Sequence, residues 1–211
     1  MGIEKTTQQA LAQMEKAIAN APPRDPGEHD RQRYIELMDK TCVPKRHRNA
    51  KPNQDEQFGE KLEKLKEAFR NGYLVVLCGP RGTGKTQLAV EVIKHTSAKF
   101  YSSRFVSFFR YCQHMKECFD NRSMRESEVM TEYVRPTTLV IDEVGKVSGT
   151  EWSQSVLFNL VDRRYNALKD TILITNHTEA DLSKEIGASV MRRAAETGGA
   201  IDTTEWKERY L

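Results

Sequence analysis

The stretch Tyr73-Leu-Val-Val-Leu-Cys-Gly-Pro-Arg-Gly-Thr-Gly-Lys-Thr86 constrains the fold of this chain more than any other. Gly79, Gly84, Lys85 and Thr86 satisfy the spacing G-x-x-x-x-G-K-[ST], with an aliphatic run before them. Behind them, Leu88, Ala89, Val92 and Ile93 recur at helical spacing. A buried strand that turns through glycines into a helix makes a phosphate cradle. Glycines let backbone N–H groups curl around anionic oxygens without Cβ clashes, and the helix adds the positive end of its dipole. Gly79, Pro80, Arg81, Gly82, Thr83 and Gly84 are therefore the expected nucleotide contacts. Lys85 is placed to reach the β- and γ-phosphates, and the Thr86 hydroxyl to ligate Mg²⁺.

A second apolar run, Thr137-Thr-Leu-Val-Ile-Asp-Glu-Val-Gly145, ends in two carboxylates. In a chain with a phosphate loop, the first of them, Asp142, belongs near Mg²⁺, and Glu143 is positioned to polarise an attacking water. A third run, Thr171-Ile-Leu-Ile-Thr-Asn176, places the polar Asn176 at another strand end, where it can orient water or feel the γ-phosphate. With further strands expected around Arg104–Phe108 and Ala200–Asp202, strands alternate with amphipathic helical segments. That alternation predicts an α/β fold: a parallel five-stranded sheet flanked by helices, with the nucleotide at the strand ends.

The first fifty residues read differently from residues 51–211. Leu11, Met14 and Ile18 form one helical stripe, and Tyr34, Leu37 and Met38 a second. Pro22, Pro23, Pro26 and Gly27 are expected to break the chain between them. Such small helices have little core of their own and serve as packing or partner-docking elements. Lys45, Arg46 and Arg48 follow in a run without acids, and Arg110 and Lys116 lie beside the aromatics Tyr111 and Phe119. Both groups are candidates for contacting single-stranded nucleic acid. The net charge of +3 in 211 residues permits nucleic acid without demanding it. No apolar run has the length of a membrane helix, so no membrane partner is expected. Cys42, Cys78, Cys112 and Cys118 show no disulfide framework, in keeping with reduced cysteines in a cytoplasmic protein.

Several segments together resemble the AAA+ ATPases of the DnaC/IstB family: Val43-Pro-Lys-Arg-His-Arg-Asn49, Leu139-Val-Ile-Asp-Glu-Val-Gly145, Asn159-Leu-Val-Asp-Arg-Arg164, Thr175-Asn176 and Gly187 through Arg193. The likeness runs from about Tyr34 to the C-terminus. It implies an AAA+ domain that hydrolyses ATP with Mg²⁺, engages single-stranded DNA, self-associates through the ATPase domain, and docks a replicative hexameric helicase through its N-terminal region. On that pattern Glu143 is the catalytic base, Asn176 the first sensor, and Arg193 (with Arg192 as fallback) the arginine finger offered to a neighbour's nucleotide. Ser189 and Arg192 stand where the family usually has Arg and Asp. The resemblance admits two roles, a loader of the replicative helicase or an IstB-type helper of transposition. From another class, a small-molecule kinase uses the same phosphate loop, but the Asp142-Glu143 pair favours water as the acceptor. A nucleotide-dependent adaptor without turnover is the remaining alternative.

Overall fold

The computed structural model describes residues 26–52, 55–120, 125–145 and 151–206. The expected helix through Leu11, Met14 and Ile18 lies outside them. The chain divides into two compact units, residues 1–35 and 36–211, and the second holds the sheet. Helix α1 spans Pro26–Lys40. Pro26 and Gly27 therefore open a helix, where they were expected to break the chain. The first turn has no use for the N–H that proline lacks.

The elements that follow are a helical turn, α2 (Lys45–Arg48), then α3 (Glu56–Ala68), β1 (Leu74–Cys78) and α4 (Lys85–Ala98). Next come β2 (Ser103–Ser107), α5 (Phe108–Asp120), α6 (Glu126–Val134) and β3 (Thr138–Asp142). After α7 (Glu151–Asn166) and β4 (Asp170–Ile174), a π-helical turn, Ser183–Gly187, leads into α8 (Ala188–Thr197) and β5 (Gly199–Asp202). Asp55 caps α3 by accepting from the N–H groups of Gln57 and Phe58 at 2.9 and 3.4 Å.

The five strands form one parallel sheet in the order β2-β3-β4-β1-β5. Every residue of β1 and β4 is buried, as a parallel sheet covered on both faces requires. Side chains alternate between the faces. Val76, Leu139, Ile141 and Leu173 join a core with Tyr111 and Met115 of α5, Met130 and Tyr133 of α6, and Leu160 of α7. Helix α4, with Leu88, Ala89, Val92 and Ile93 fully buried, packs against β2, β3 and β4. The outer edge of β2 does not run bare: Phe105 N–H donates to Thr41 O at 2.6 Å. The order places the ends of β3, β4 and β1 side by side, so the three segments expected to carry chemistry emerge as neighbours.

Among the described residues, no helix is long and apolar enough to cross a membrane. The four cysteines are free.

Candidate active site

A cavity of about 410 Å³ opens where β1, β3 and β4 end. Arg81, Gly82, Gly84, Lys85 and Thr86 line it from the phosphate loop, Asp142 and Glu143 from the end of β3, and Asn176 from the segment after β4. Residues spread over almost a hundred positions of sequence thus meet around one space. Gly79, Pro80 and Thr83 are the loop residues outside that lining, and Thr83 is buried.

The Lys85 side chain is buried, and its ammonium donates to the carbonyls of Gly79 and Pro80 at 2.8 and 2.5 Å. Burial lowers its pKa, and the Asp142 carboxylate opposes that shift. Asp142 experiences the reverse. Burial raises its pKa, against the Glu143 N–H that donates to Oδ1 at 2.7 Å and the Thr86 hydroxyl that donates to Oδ2 at 3.1 Å. Burial thus disfavours the charged form of both groups, and each favours the charged form of the other.

Directly after Asp142 the chain turns sharply. Glu143 takes φ of 60°, a left-handed conformation that costs a non-glycine residue roughly 1–2 kcal/mol. Val144 N–H donates to Ile174 O at 2.8 Å and fixes the turn to the end of β4. Gly145, at φ 103°, completes it, and here only glycine fits: a Cβ would stand 2.4 Å from Nε2 of His177. The bond to β4 and the turn through Gly145 thus hold Glu143 at the cavity wall despite the strain.

Arg46 and His47 of α2 also line the cavity, bringing a cation and an imidazole to its mouth. The position of Arg46 in a basic run suggested nucleic acid, and nothing local signalled that α2 lies against the phosphate-loop cavity. Of the same basic run, Arg48 pairs with Asp39 at 2.6 Å and donates to Val43 O at 3.0 Å, while Lys45 is exposed. Arg110 and Lys116 sit apart from the cavity on the exposed side of α5; Arg110 lies 4.0 Å from Glu117, and the Lys116 ammonium 5.0 Å from the Trp152 ring. Tyr111, expected beside them as a stacking platform, is fully buried and packs edge-on against Tyr133 at 4.8 Å. The exposed aromatics of this helix are Phe109 and Phe119.

Arg192 and Arg193 stand on α8, outside the cavity of their own chain. Arg193 is held inward: it ion-pairs with Asp162, donates to Ser189 O at 3.2 Å, and lies over the Phe158 and Tyr165 rings at 4.9 and 5.6 Å. Arg192 is 76% exposed and lies 3.9 Å from Glu196.

Fold and cavity together define a phosphate-loop nucleotide-binding protein of the AAA+ architecture. Comparison with known proteins narrows this to one family: residues 31–195 match the IstB-like ATP binding proteins, and the chain belongs to that family. The replicative helicase loader DnaC of Escherichia coli K12 is 26% identical over 118 residues, which cover 56% of this chain and 48% of the loader. A protein of insertion sequence IS5376 from Geobacillus stearothermophilus, named for ATP binding, is 29% identical over 145 residues, covering 69% of this chain and 56% of the relative. The chain thus spans about half the length of the curated relatives it matches. The crystal structure of the DnaC helicase loader superposes with a TM-score of 0.65 at 22% identity, covering 75% of this chain and 99% of that one. AMPPCP-bound DnaA from Aquifex aeolicus gives 0.61 at 21% identity, covering 74% and 49%. These two likenesses establish the fold.

Proposed function

We propose that this protein is an ATP-hydrolysing helicase loader of DNA replication. Residues 1–50 dock a replicative hexameric helicase, residues 51–211 form the ATPase domain, and hydrolysis is coupled to placing or releasing the helicase on single-stranded DNA. The observation that carries the reading is the convergence of Lys85, Thr86, Asp142, Glu143 and Asn176 on one cavity in a chain of an ATP-binding family. The helicase-loading half is supported by the relationship to the E. coli loader.

In this reading Lys85 gives up its loop carbonyls for the β- and γ-phosphate oxygens, and the backbone of Gly79 to Gly84 surrounds them. Glu143 accepts a proton from a water whose oxygen forms a bond to the γ-phosphorus, while the bond from that phosphorus to the bridging oxygen breaks and leaves ADP. Asn176 orients the water. The Thr86 hydroxyl and the Asp142 carboxylate, 3.1 Å apart, are the hard oxygen donors that Mg²⁺ prefers. When bound there, the ion neutralises phosphate charge. An arginine from α8 of a second copy completes the site, so turnover depends on assembly. Arg193 needs to leave Asp162 to do this, whereas Arg192 already points outward.

Single-stranded DNA is assigned chiefly to α5. Phe109 and Phe119 are 53% and 67% exposed there, beside Arg110 and Lys116. From the basic run near residue 45, Lys45 remains the best-placed contributor, because Arg46 lines the cavity and Arg48 is paired.

The insertion-sequence relative favours a second reading, a helper ATPase of transposition with a transposase as partner. Phosphate release without any acceptor separates both from a kinase. Lys85→Ala should abolish nucleotide binding and partner loading. Glu143→Gln should bind ATP, form the partner complex and fail to release it. A Glu143→Gln protein that completes loading at the wild-type rate would make this an adaptor without need of hydrolysis.

A further inference from the structure

The phosphate loop is gripped from β5 as well as from its own strand and helix. Thr203 directly follows β5 and is fully buried. Its N–H and its hydroxyl both donate to Cys78 O, at 3.0 and 2.8 Å. The same hydroxyl oxygen lies 2.7 Å from Oγ1 of Thr83, also buried, in the loop itself. Thr83 Oγ1 also lies 3.2 Å from Pro80 O, so the two hydroxyls form one short hydrogen-bonded chain between Pro80 O in the loop and Cys78 O at the end of β1.

The approach is close enough to dictate a glycine. A Cβ on Gly79 would stand 2.7 Å from Thr203 Oγ1 and 3.0 Å from Asp202 Oδ1, at a φ of 114° that favours glycine in any case. From the opposite side, Gly79 N–H donates to His177 O at 3.0 Å. The base of the loop is therefore held from the segments after both β4 and β5, and the hydroxyl pair extends the grip to the centre, between Gly82 and Gly84. The anchor is itself fixed. Trp206 N–H donates to Thr203 O at 3.1 Å, and the buried indole packs edge-on against Phe58 of α3 at 5.7 Å.

We infer that Thr203 is a positioning residue for nucleotide binding: its hydroxyl holds Thr83, and with it Gly82 and Gly84, in the shape that accepts phosphate. A loop with three glycines has many alternatives to that shape, and apparent affinity falls in proportion to the fraction of molecules that have the competent one. Bound phosphates then hold the loop by themselves, so the hydroxyl pair acts on binding and not on the chemical step. The inference rests on the reading of the cavity as an ATP site.

The test uses the full chain, a fluorescent ATP analogue for Kd, steady-state hydrolysis, and thermal unfolding. Thr203→Val keeps shape and the backbone N–H to Cys78 but removes the hydroxyl; Thr203→Ser restores it. Thr203→Val should raise Kd and KM about five- to tenfold, the worth of one buried hydrogen bond, with kcat within about twofold of wild type. Thr203→Ser should bind as wild type does. A merely structural threonine would lower the unfolding temperature and leave Kd of the folded protein unchanged. Unchanged Kd in Thr203→Val, or equal weakening in Thr203→Ser, overturns the assignment. Should Thr203→Val not fold, Thr83→Val is read in the same way. Where both fold, the double variant should bind no more weakly than the worse single one, and additive losses overturn the pairing. A wild-type protein that binds no nucleotide overturns the ATP reading, and the assignment falls with it.

Discussion

Arg164 is fully buried on α7, yet it lies at the end of the sheet opposite the cavity. Its guanidinium donates to the carbonyls of Tyr133, Val134, Pro136, Thr137 and Asp170 at 2.9, 3.1, 3.0, 3.3 and 2.5 Å, and to the Thr171 hydroxyl at 2.9 Å. One side chain thus ties the α6–β3 connection to the start of β4. The cost of burial is visible in its pKa, pushed down to about 9 by desolvation. Replacement by Met, of similar length, removes that cost but strands the acceptors. Thr137 O retains Asp170 N–H at 3.1 Å, and Val134 and Pro136 lie near enough to the surface to regain water. The bonds to Tyr133 O and Asp170 O are buried, and each acceptor left unmatched there costs ~1–3 kcal/mol. Arg164→Met is therefore expected to destabilise by about 3–4 kcal/mol, close to the penalty for removing one partner of a buried charged pairing. For a chain of this size that is a fall in Tm of roughly 6–16 °C. Urea and thermal unfolding followed by circular dichroism measure it, and nucleotide affinity of the folded variant at low temperature should be unchanged. Arg164→Lys, with one ammonium in place of the five-donor fork, should recover only a minor part. A loss below about 1 kcal/mol in Arg164→Met would refute the claim that these carbonyls depend on the guanidinium.

Other expectations follow from the site. Burial raises the folded-state pKa of Asp142 above its ordinary 3.8, so the stability linked to its protonated form is present below that value and lost as pH rises through the folded pKa. Asp142→Asn should accordingly raise the Tm of nucleotide-free protein at neutral pH, flatten its dependence on pH on the acid side, and abolish measurable phosphate release; a lower Tm at neutral pH contradicts the desolvation argument. On α8, Arg192→Ala and Arg193→Ala should each leave nucleotide Kd unchanged. The one that is the finger should reduce hydrolysis by roughly 10³-fold in assembled protein, and equal rates in the two variants and wild type would remove the trans arginine from the account. On α5, Phe109→Ala with Lys116→Ala should weaken single-stranded DNA binding by about tenfold or more, from ~1–3 kcal/mol per stacked base, with a shallower salt dependence. Unchanged affinity in a filter or anisotropy titration would send the DNA contact elsewhere.

The phosphate loop, the Asp142-Glu143 strand end and Asn176 were legible because each is a local pattern: an apolar run that stops at a polar residue. The parallel order then makes them neighbours without further information. Junctions were less legible. Strand β2 stops at Ser107 and Phe108 opens α5, one residue earlier than the apolar run suggests, because Phe108 is buried whichever element it belongs to. Tyr111 was misplaced although its signal was available: Phe108, Tyr111, Cys112 and Met115 make an i, i+3, i+4, i+7 stripe, the core face of a helix. Arg46, His47 and Thr203 had no such signal. They reach the loop through the tertiary path of the chain, and a basic run or a threonine after a strand reads the same whether or not anything lies beneath it. Arg164 is similar, since an Asp-Arg-Arg run near a helix end reads as surface charge until its partners are seen.

In the function proposed above, ATP turnover in this cavity serves the delivery of a hexameric helicase. The most direct measurement is co-sedimentation of the full chain with the replicative helicase of its own cell or mobile element, with ATP, with ADP and with the Glu143→Gln variant. The expected result is a complex that forms with ATP, persists in Glu143→Gln, and releases helicase onto single-stranded DNA only in the hydrolysing protein. No complex under any nucleotide condition, with the cognate transposase captured in its place, would contradict it.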